Sequence, residues 1–356
     1  MVETTATATP LPARRIPGWL PLTLMTILML GIGAYAAAQS SDFLSSYNLS
    51  TLLGSSGALP LALVAMGQTH ALMVRGFDVS VGALMTLTVV VGSFILTGSE
   101  TWYELAFGSL ALVAIGLFVG LVNAGLIRKV GLPSIIATLA ALSVMQGISL
   151  QLRNVPGGEI SADVMDALNT SIGFMPVAFI GVVVLAVVGD LWLYGTTSGL
   201  TARAVGLDES SSRRLGAPAE RIHWRAFVLC SLMATIAGFF LAAQVGIGDA
   251  RVGGGYALTS IAAAVLGGAS LLGGKGSFIG AVVGALFLSL IINILPLPNI
   301  LPGFLLEWSG ALGYISIGVL TLLALILYQG PELWVRVRTA WRDIRPSRPS
   351  EGENLA

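Results

Sequence analysis

LAFGSLALVAIGLFVGLVNAGLI, residues 105–127, runs for 23 positions without a charge between Glu104 and the pair Arg128-Lys129. About 20 apolar residues are needed for a helix to cross a bilayer, where every backbone N–H and C=O must be bonded inside the segment. This stretch therefore reads as a transmembrane helix, and it is one of a series. Comparable runs occupy residues 19–38, 56–74, 83–96, 133–152, 173–194, 224–245, 258–272, 277–295 and 310–328. Those at 83–96 and 258–272 are short and flanked by glycine. The expected fold class is all-α, a polytopic integral membrane bundle of about ten transmembrane helices.

Composition agrees. Only 36 of the 356 residues are Asp, Glu, Lys or Arg, and 55% are hydrophobic, whereas a soluble domain is roughly 25% charged. A soluble enzyme is excluded on that ground. The 18 basic and 18 acidic residues cancel, so nothing suggests the basic face that a nucleic-acid partner requires. The lone Cys230 rules out an intrachain disulfide and a Cys-rich metal site, and it reads as a small core residue. No metal site and no catalytic residues are expected.

Basic residues set the orientation, because Lys and Arg resist translocation. With an inside N-terminus, 16 of 18 fall on the cytoplasmic side, among them Arg75, Arg128, Lys129, Arg203, Arg213, Arg214, Arg221, Arg225, Lys275 and the tail from Arg336 to Arg348. Arg153 and Arg251 alone fall outside. An odd number of spans would break this split, so both termini are expected in the cytoplasm. The chain divides into an N-terminal segment (1–18), a membrane domain (19–330) and a cytoplasmic tail (331–356) rich in Arg and Pro. Arg14 and Arg15 precede an apolar stretch ending in alanines, but nine further spans make it an uncleaved first helix rather than a signal peptide.

The spans carry few polar residues: Gln68, His70, Asn123, Gln146, Gln244 and Asn293, with Asp78 and Asp190 expected at cytoplasmic ends. Ion-driven carriers usually place carboxylates near the midplane, so this pattern disfavours them. Neutral amides suit an uncharged hydrogen-bonding solute, although bonding between helices explains them as well. Gln68, Asp78, Ser80, Asn123, Gln146, Gln244 and Asn293 are the candidate pathway or gating residues. Tyr256, Phe304 and Trp308 fall at the expected external face, where aromatic rings either stack on a sugar or anchor the interface.

Glycine appears in small-xxx-small pairs, Gly116 with Gly120 and Gly276 through Gly280 to Gly284, which let helices approach closely. It also marks two similar loops. At an offset of 198 residues, Gly76, Gly82 and Ala83 match Gly274, Gly280 and Ala281, a weak internal repeat. Gly274-Lys275-Gly276 is no phosphate-binding loop: position 269 is Ala and position 276 is neither Ser nor Thr. Any ATP must be bound by another chain.

Residues 195–223 form the longest internal cytoplasmic loop. Residues 201–205 read as a short helix stopped by Gly206, and Asp208 as the cap of a second. Glu209 sits in the first turn of that helix, Arg213 and Arg214 in its last, with Gly216 just past the end and Pro218 preventing continuation.

Several segments resemble the permease subunits of bacterial sugar ABC importers of the ribose, xylose and arabinose type, in the group that includes branched-chain amino acid permeases. Residues 76–82, GFDVSVG, are similar to that family's Gly-Gly-x-Asp-Leu-Ser-Val-Gly loop, and residues 261–277, IAAAVLGGASLLGGKGS, to a second family segment. AVGLD at 204–208 with RRLG at 213–216 is similar to the loop that docks such permeases onto their ATPase, and PSIIATL at 133–139 fits a further piece. Arg75 stands where the family has glycine, Ala124 follows Asn123 where glycine is usual, Ala257 replaces a common Glu, and Asp208 an Asn.

The resemblance implies a permease that binds and conducts but catalyses no bond chemistry. Its implied partners are an ATPase subunit with two nucleotide-binding domains, which holds ATP and Mg, an extracytoplasmic solute-binding protein, and a second permease copy or homologue in a homo- or heterodimer. Arg203, Gly206, Asp208, Arg213, Arg214 and Gly216 are the implied coupling residues. The implied setting is the bacterial inner membrane, and the expected solute a small neutral one, a monosaccharide above all. An ion-coupled carrier or channel is the competing class.

Overall fold

The computed structural model describes residues 20–323 apart from 99, 100, 298, 301 and 314. The expected terminal segments 1–18 and 331–356 lie outside the described residues, as does the side chain of Phe304. The chain begins with α1 (Leu20–Gln39), a short α2 (Ser46–Leu53), α3 (Ala58–Met73), α4 (Val81–Ile95), α5 (Trp102–Arg128) and α6 (Ser134–Leu152). Then come α7 (Ala162–Asn169) and a small hairpin of β1 (Ser171–Ile172) with β2 (Met175–Pro176). After these follow α8 (Val177–Gly195), α9 (Thr197–Leu207), α10 (Glu209–Arg214), α11 (Ala219–Val245), α12 (Tyr256–Leu266), α13 (Phe278–Ile294), α14 (Gly303–Leu306) and a helix at Ser309–Leu323.

Six helical stretches are long and apolar enough to span a membrane; α4, α12, α13 and Ser309–Leu323 are apolar but shorter. The expected run at 258–272 overshoots α12 for a physical reason. Hydropathy does not distinguish a glycine-rich turn from a helix, so residues 267–272 read as span although α12 ends at Leu266.

α3 forms the centre. Every residue from Ala58 to Met73 is buried, as expected of a helix that is apolar on all sides. α11, α12 and α13 pack around it, and α11 also packs on α4 and α5. The glycine pairs work as close contacts: a Cβ at Gly120 would sit 2.8 Å from the Val228 Cα, and one at Gly284 would sit 2.1 Å from the Ala263 carbonyl. α1, α5, α6 and α8 form the periphery, where Leu30, Phe107, Phe118, Val144 and Leu191 are exposed. Such an outward apolar belt suits lipid.

The bundle has two unlike ends. At one, α9 lies against the C-terminus of α3 and the loops that follow α3 and α12, with α10 packed on α9 and α11. At the other, α7 and the hairpin join α6 to α8, Ile160 N–H bonds the Gly246 carbonyl and Gly157 pairs with Gly248. Arg75, Arg128, Arg203, Arg213 and Arg225 all make contacts at the α9 end. Arg153 bonds Ser93, near the opposite end, and Arg251 lines a cavity there.

Candidate functional site

The chain reverses after Met73. Arg75 takes a left-handed conformation (φ 61°), a backbone region that glycine enters without steric cost. Residues 76–80 then run back into the bundle without helical or sheet partners. Gly76 N–H still bonds the Ala71 carbonyl, and beyond it side chains serve the backbone: Phe77 N–H donates to Ser134 Oγ (3.1 Å) and Val79 N–H to Thr138 Oγ1 (3.2 Å), while Gln68 Nε2 donates to the Asp78 carbonyl. Non-helical backbone at membrane depth survives only where protein supplies such partners.

Asp78 is accordingly not interfacial, as its place between two spans suggested, but fully buried. Nor does it cap α4 directly, since the position before that helix is Ser80. Both the N–H and the Oγ of Ser80 donate to Asp78 Oδ1, and Asn123 Nδ2 donates to Ser80 Oγ at 2.9 Å. Gln68 Oε1, Asp78 Oδ2, Asn123 Oδ1 and Ser231 Oγ are buried without a hydrogen-bond partner. Of the seven pathway candidates, four therefore come together: Gln68, Asp78, Ser80 and Asn123. Gln146 is elsewhere, donating to the Ala250 carbonyl at 2.6 Å. Asn293 pairs with Asn48, and Gln244 is exposed.

The loop after α12 returns to the same place. Gly274 N–H donates to the Met73 carbonyl at 2.8 Å, and Tyr194 Oη donates to the Gly276 carbonyl. The two loops matched by the 198-residue offset thus touch each other. Asp190 sits at the end of α8 and caps α13 from outside: Ser277 Oγ (2.6 Å), Phe278 N–H (2.7 Å) and Ile279 N–H (3.2 Å) all donate to its carboxylate.

α9 rests on both loops. The expected stop at Gly206 does not occur; the helix continues through it to Leu207. Glycine is needed there for approach, because a Cβ would meet the Met73 carbonyl at 1.9 Å and the Gly274 nitrogen at 2.6 Å. Arg75 fastens the contact. Its Nε donates to the carbonyls of Gly206 (2.8 Å) and Leu272 (2.9 Å), and its Nη2 to that of Leu207. A cation among the last carbonyls of a helix also complements the helix dipole. Beneath α9, Ala202 and Val205 pack with Met73, Val74, Leu193 and Ile222 in a small apolar core.

α10 follows the sequence reading closely. Asp208 is its N-cap, accepting from Ser211 N–H at 3.1 Å, and Gly216 is left-handed just beyond it (φ 85°). Bonds from Ser211 and Ser210 hold the Asp208 carboxyl below the usual carboxylate range. Glu209 is a hub that dipole reasoning alone did not reveal. Arg128 at the end of α5 reaches it at 2.7 Å, Arg213 at 2.9 Å and His223 at 3.2 Å. Partial burial raises the Glu209 pKa, but the bonds from Arg128 and Arg213 outweigh that and leave it lowered. Arg203 lies over the Tyr194 ring, 4.4 Å from its centroid, and Arg214 donates to Ser211 Oγ. Pro218 opens α11 rather than only ending α10, so the loop expected at 195–223 is helical again from Ala219. Leu200, Leu207 and Leu215 remain exposed on this surface.

The family profile described as branched-chain amino acid transport system, permease component, matches residues 48–325. The chain belongs to this permease family. The permease is 33% identical over 308 residues to the autoinducer 2 import system permease protein LsrC of Salmonella paratyphi B, covering 83% of each chain. It is equally similar to LsrC of Salmonella typhi over the same share, and 33% identical over 284 residues to that of Escherichia coli K12, 77% of each chain. No solved structure matches the permease. These relatives agree with the importer resemblance carried by its motifs and with a multi-pass inner-membrane subunit that is not an enzyme.

Proposed function

We propose that this permease imports a small neutral solute, a monosaccharide or sugar-like molecule, driven by ATP hydrolysed on a separate subunit. The observation that carries the reading is the α9–α10 surface: an exposed pair of capped helices fastened by Arg75 and Gly206 to the loops that enter the bundle, and by Glu209 to α5 and α11. A subunit that grips Arg203, Asp208, Arg213, Arg214, Gly216 and the exposed Leu215 from outside would move those loops. In this reading ten helices span the membrane, both termini are cytoplasmic, and ATP with Mg resides on the two nucleotide-binding domains of the partner. A binding protein delivers solute to the opposite end, and a second permease copy or homologue completes the complex. The segregation of described basic residues to the α9 end supports this orientation. The relatives' names, which specify autoinducer 2 import, support the import of a small solute.

Reconstitution tests it. Proteoliposomes holding the permease, its ATPase and its binding protein are expected to take up solute only with ATP, and the permease alone to hydrolyse none. Uptake by the permease alone on a proton or sodium gradient would refute the proposal. Asp78 is the observation that favours that second, ion-coupled reading, since it is the one carboxylate buried among the described residues.

A further inference from the structure

At the end of the bundle away from α9, a cavity of about 560 Å³ opens between α2, α3, α12, α13 and the last helix. Sites for small organic ligands usually enclose about 300–1,000 Å³. Its wall holds the reciprocal amide pair: Asn48 Nδ2 donates to Asn293 Oδ1 (3.1 Å), and Asn293 Nδ2 to Asn48 Oδ1 (2.9 Å). Asn48 Nδ2 also donates to the Phe43 carbonyl, so Asn293 keeps one N–H to offer and both amide oxygens keep a lone pair. Thr259 Oγ1 donates to the Gly255 carbonyl, leaving its oxygen as an acceptor, and Ser289 and the Tyr256 ring complete the wall with Arg251 at the rim. No carboxylate lines the cavity among the described residues. Neutral acceptors, few donors and an aromatic face suit a compact molecule bearing several hydroxyls; a cation would lack a counter-charge.

The position of the cavity links it to the other end. α3 carries Leu61 to the cavity and Met73 to the contact with Gly274; α13 carries Ser289 and Asn293 to the cavity and is capped by Asp190 at Phe278. Two helices of about 25 Å therefore join the cavity to the α9 surface. We infer that this cavity is the vestibule in which the permease receives a neutral polyhydroxyl solute, with the Asn48–Asn293 pair and Tyr256 as its contact residues. The inference rests on the importer reading above.

The test uses the full complex in proteoliposomes, with radiolabelled D-ribose, D-xylose and autoinducer 2 as probes. The double variant Asn48→Leu/Asn293→Leu keeps the branched heavy-atom shape of each side chain but removes the amides. With the probe that the wild type transports, it is expected to cut uptake at least tenfold while ATP hydrolysis stimulated by the binding protein stays within twofold. Tyr256→Ala is expected to uncouple in the same way without touching the amide pair. Wild-type uptake in both variants overturns the vestibule while leaving the importer reading intact. A parallel fall of uptake and hydrolysis, or loss of a second permease copy on mass photometry, overturns it in favour of a packing or subunit-contact role. Absence of ATP-dependent uptake in the wild type overturns the importer reading itself, and the vestibule with it.

Discussion

Gly206→Ala isolates the contact between α9 and the two loops. In a free helix this change is favourable by about 1 kcal/mol, because alanine has the higher propensity. Here the new Cβ would lie 1.9 Å from the Met73 carbonyl oxygen, and ordinary contact begins at 3.4 Å, so α9 must retreat by roughly 1.5 Å. Both neighbours are backbone, and no side chain can swing aside. Crowding of this kind costs about 1–3 kcal/mol, and the retreat stretches the 2.8 Å bond from Arg75 to Gly206 beyond hydrogen-bond range. The seat of α9 should weaken by roughly 1–2 kcal/mol net, and each 1.4 kcal/mol is about a tenfold shift between seated and unseated helix. Hydrogen exchange over residues 197–207 should accelerate by that factor, while the melting temperature of the bundle falls little. In the reconstituted complex, solute taken up per ATP should drop several-fold. Gly195→Ala is the control, since nothing lies within 4 Å of a Cβ there. Wild-type exchange and coupling in Gly206→Ala would show that α9 is not mechanically joined to the loops, and the argument would fail.

Arg75→Gly should fold at least as well, because glycine tolerates φ 61°, yet lose the grip on three carbonyls; uptake per ATP should fall with an unchanged melting temperature. Asp190→Ala leaves the Phe278 and Ile279 N–H groups without their acceptor; a lost cap costs about 0.5–2 kcal/mol, read as a lower melting temperature. Reversing Arg213 and Arg214 to Glu should reduce co-purification with the ATPase while circular dichroism stays unchanged, and normal co-purification would count against docking at α10. Asp78→Asn retains an acceptor for Ser80 and should transport, whereas Asp78→Ala strands the Ser80 donors and should lose about 1–3 kcal/mol of stability; equal stability of the two would refute a structural role for the carboxyl.

The helical bundle and the α10 caps were legible because their determinants are local. Charge-free runs, the Asp208 cap and the glycine just beyond the helix each act within a few residues. The glycine loops were recognised as a pair, but hydropathy could not show that they enter the bundle and meet. That follows from contacts such as Met73 with Gly274, about 200 residues apart in the chain. Gly206 shows the same limit: glycine in a helical stretch is ambiguous between a stop and a close approach until the neighbouring backbone is known. Glu209 and Asp190 stood out only as charges at helix ends, since their partners come from α5, α11 and α13. The pathway candidates share polarity alone, and polarity does not indicate depth or neighbours, so they divide among a buried cluster, the half-buried contact of Gln146 with Ala250, the cavity and the surface.

The polar groups at the centre of the bundle mainly serve backbone. Residues 76–80 lack regular hydrogen bonding, and leaving such N–H and C=O groups unpaired in an apolar interior is costly. Gln68, Ser134 and Thr138 replace the missing partners, while Asp78 takes both donors of Ser80 just before α4 begins. Asn123 closes the group from α5. These side chains hold an extended segment in one shape where a helix would have held itself. A segment held by side chains from several helices changes shape when those helices shift, and α3, whose end carries the loop, is also contacted by α9 through Gly206. That arrangement gives force applied at α9 a direct path to the loop through α3, as the proposed importer driven from outside the membrane requires.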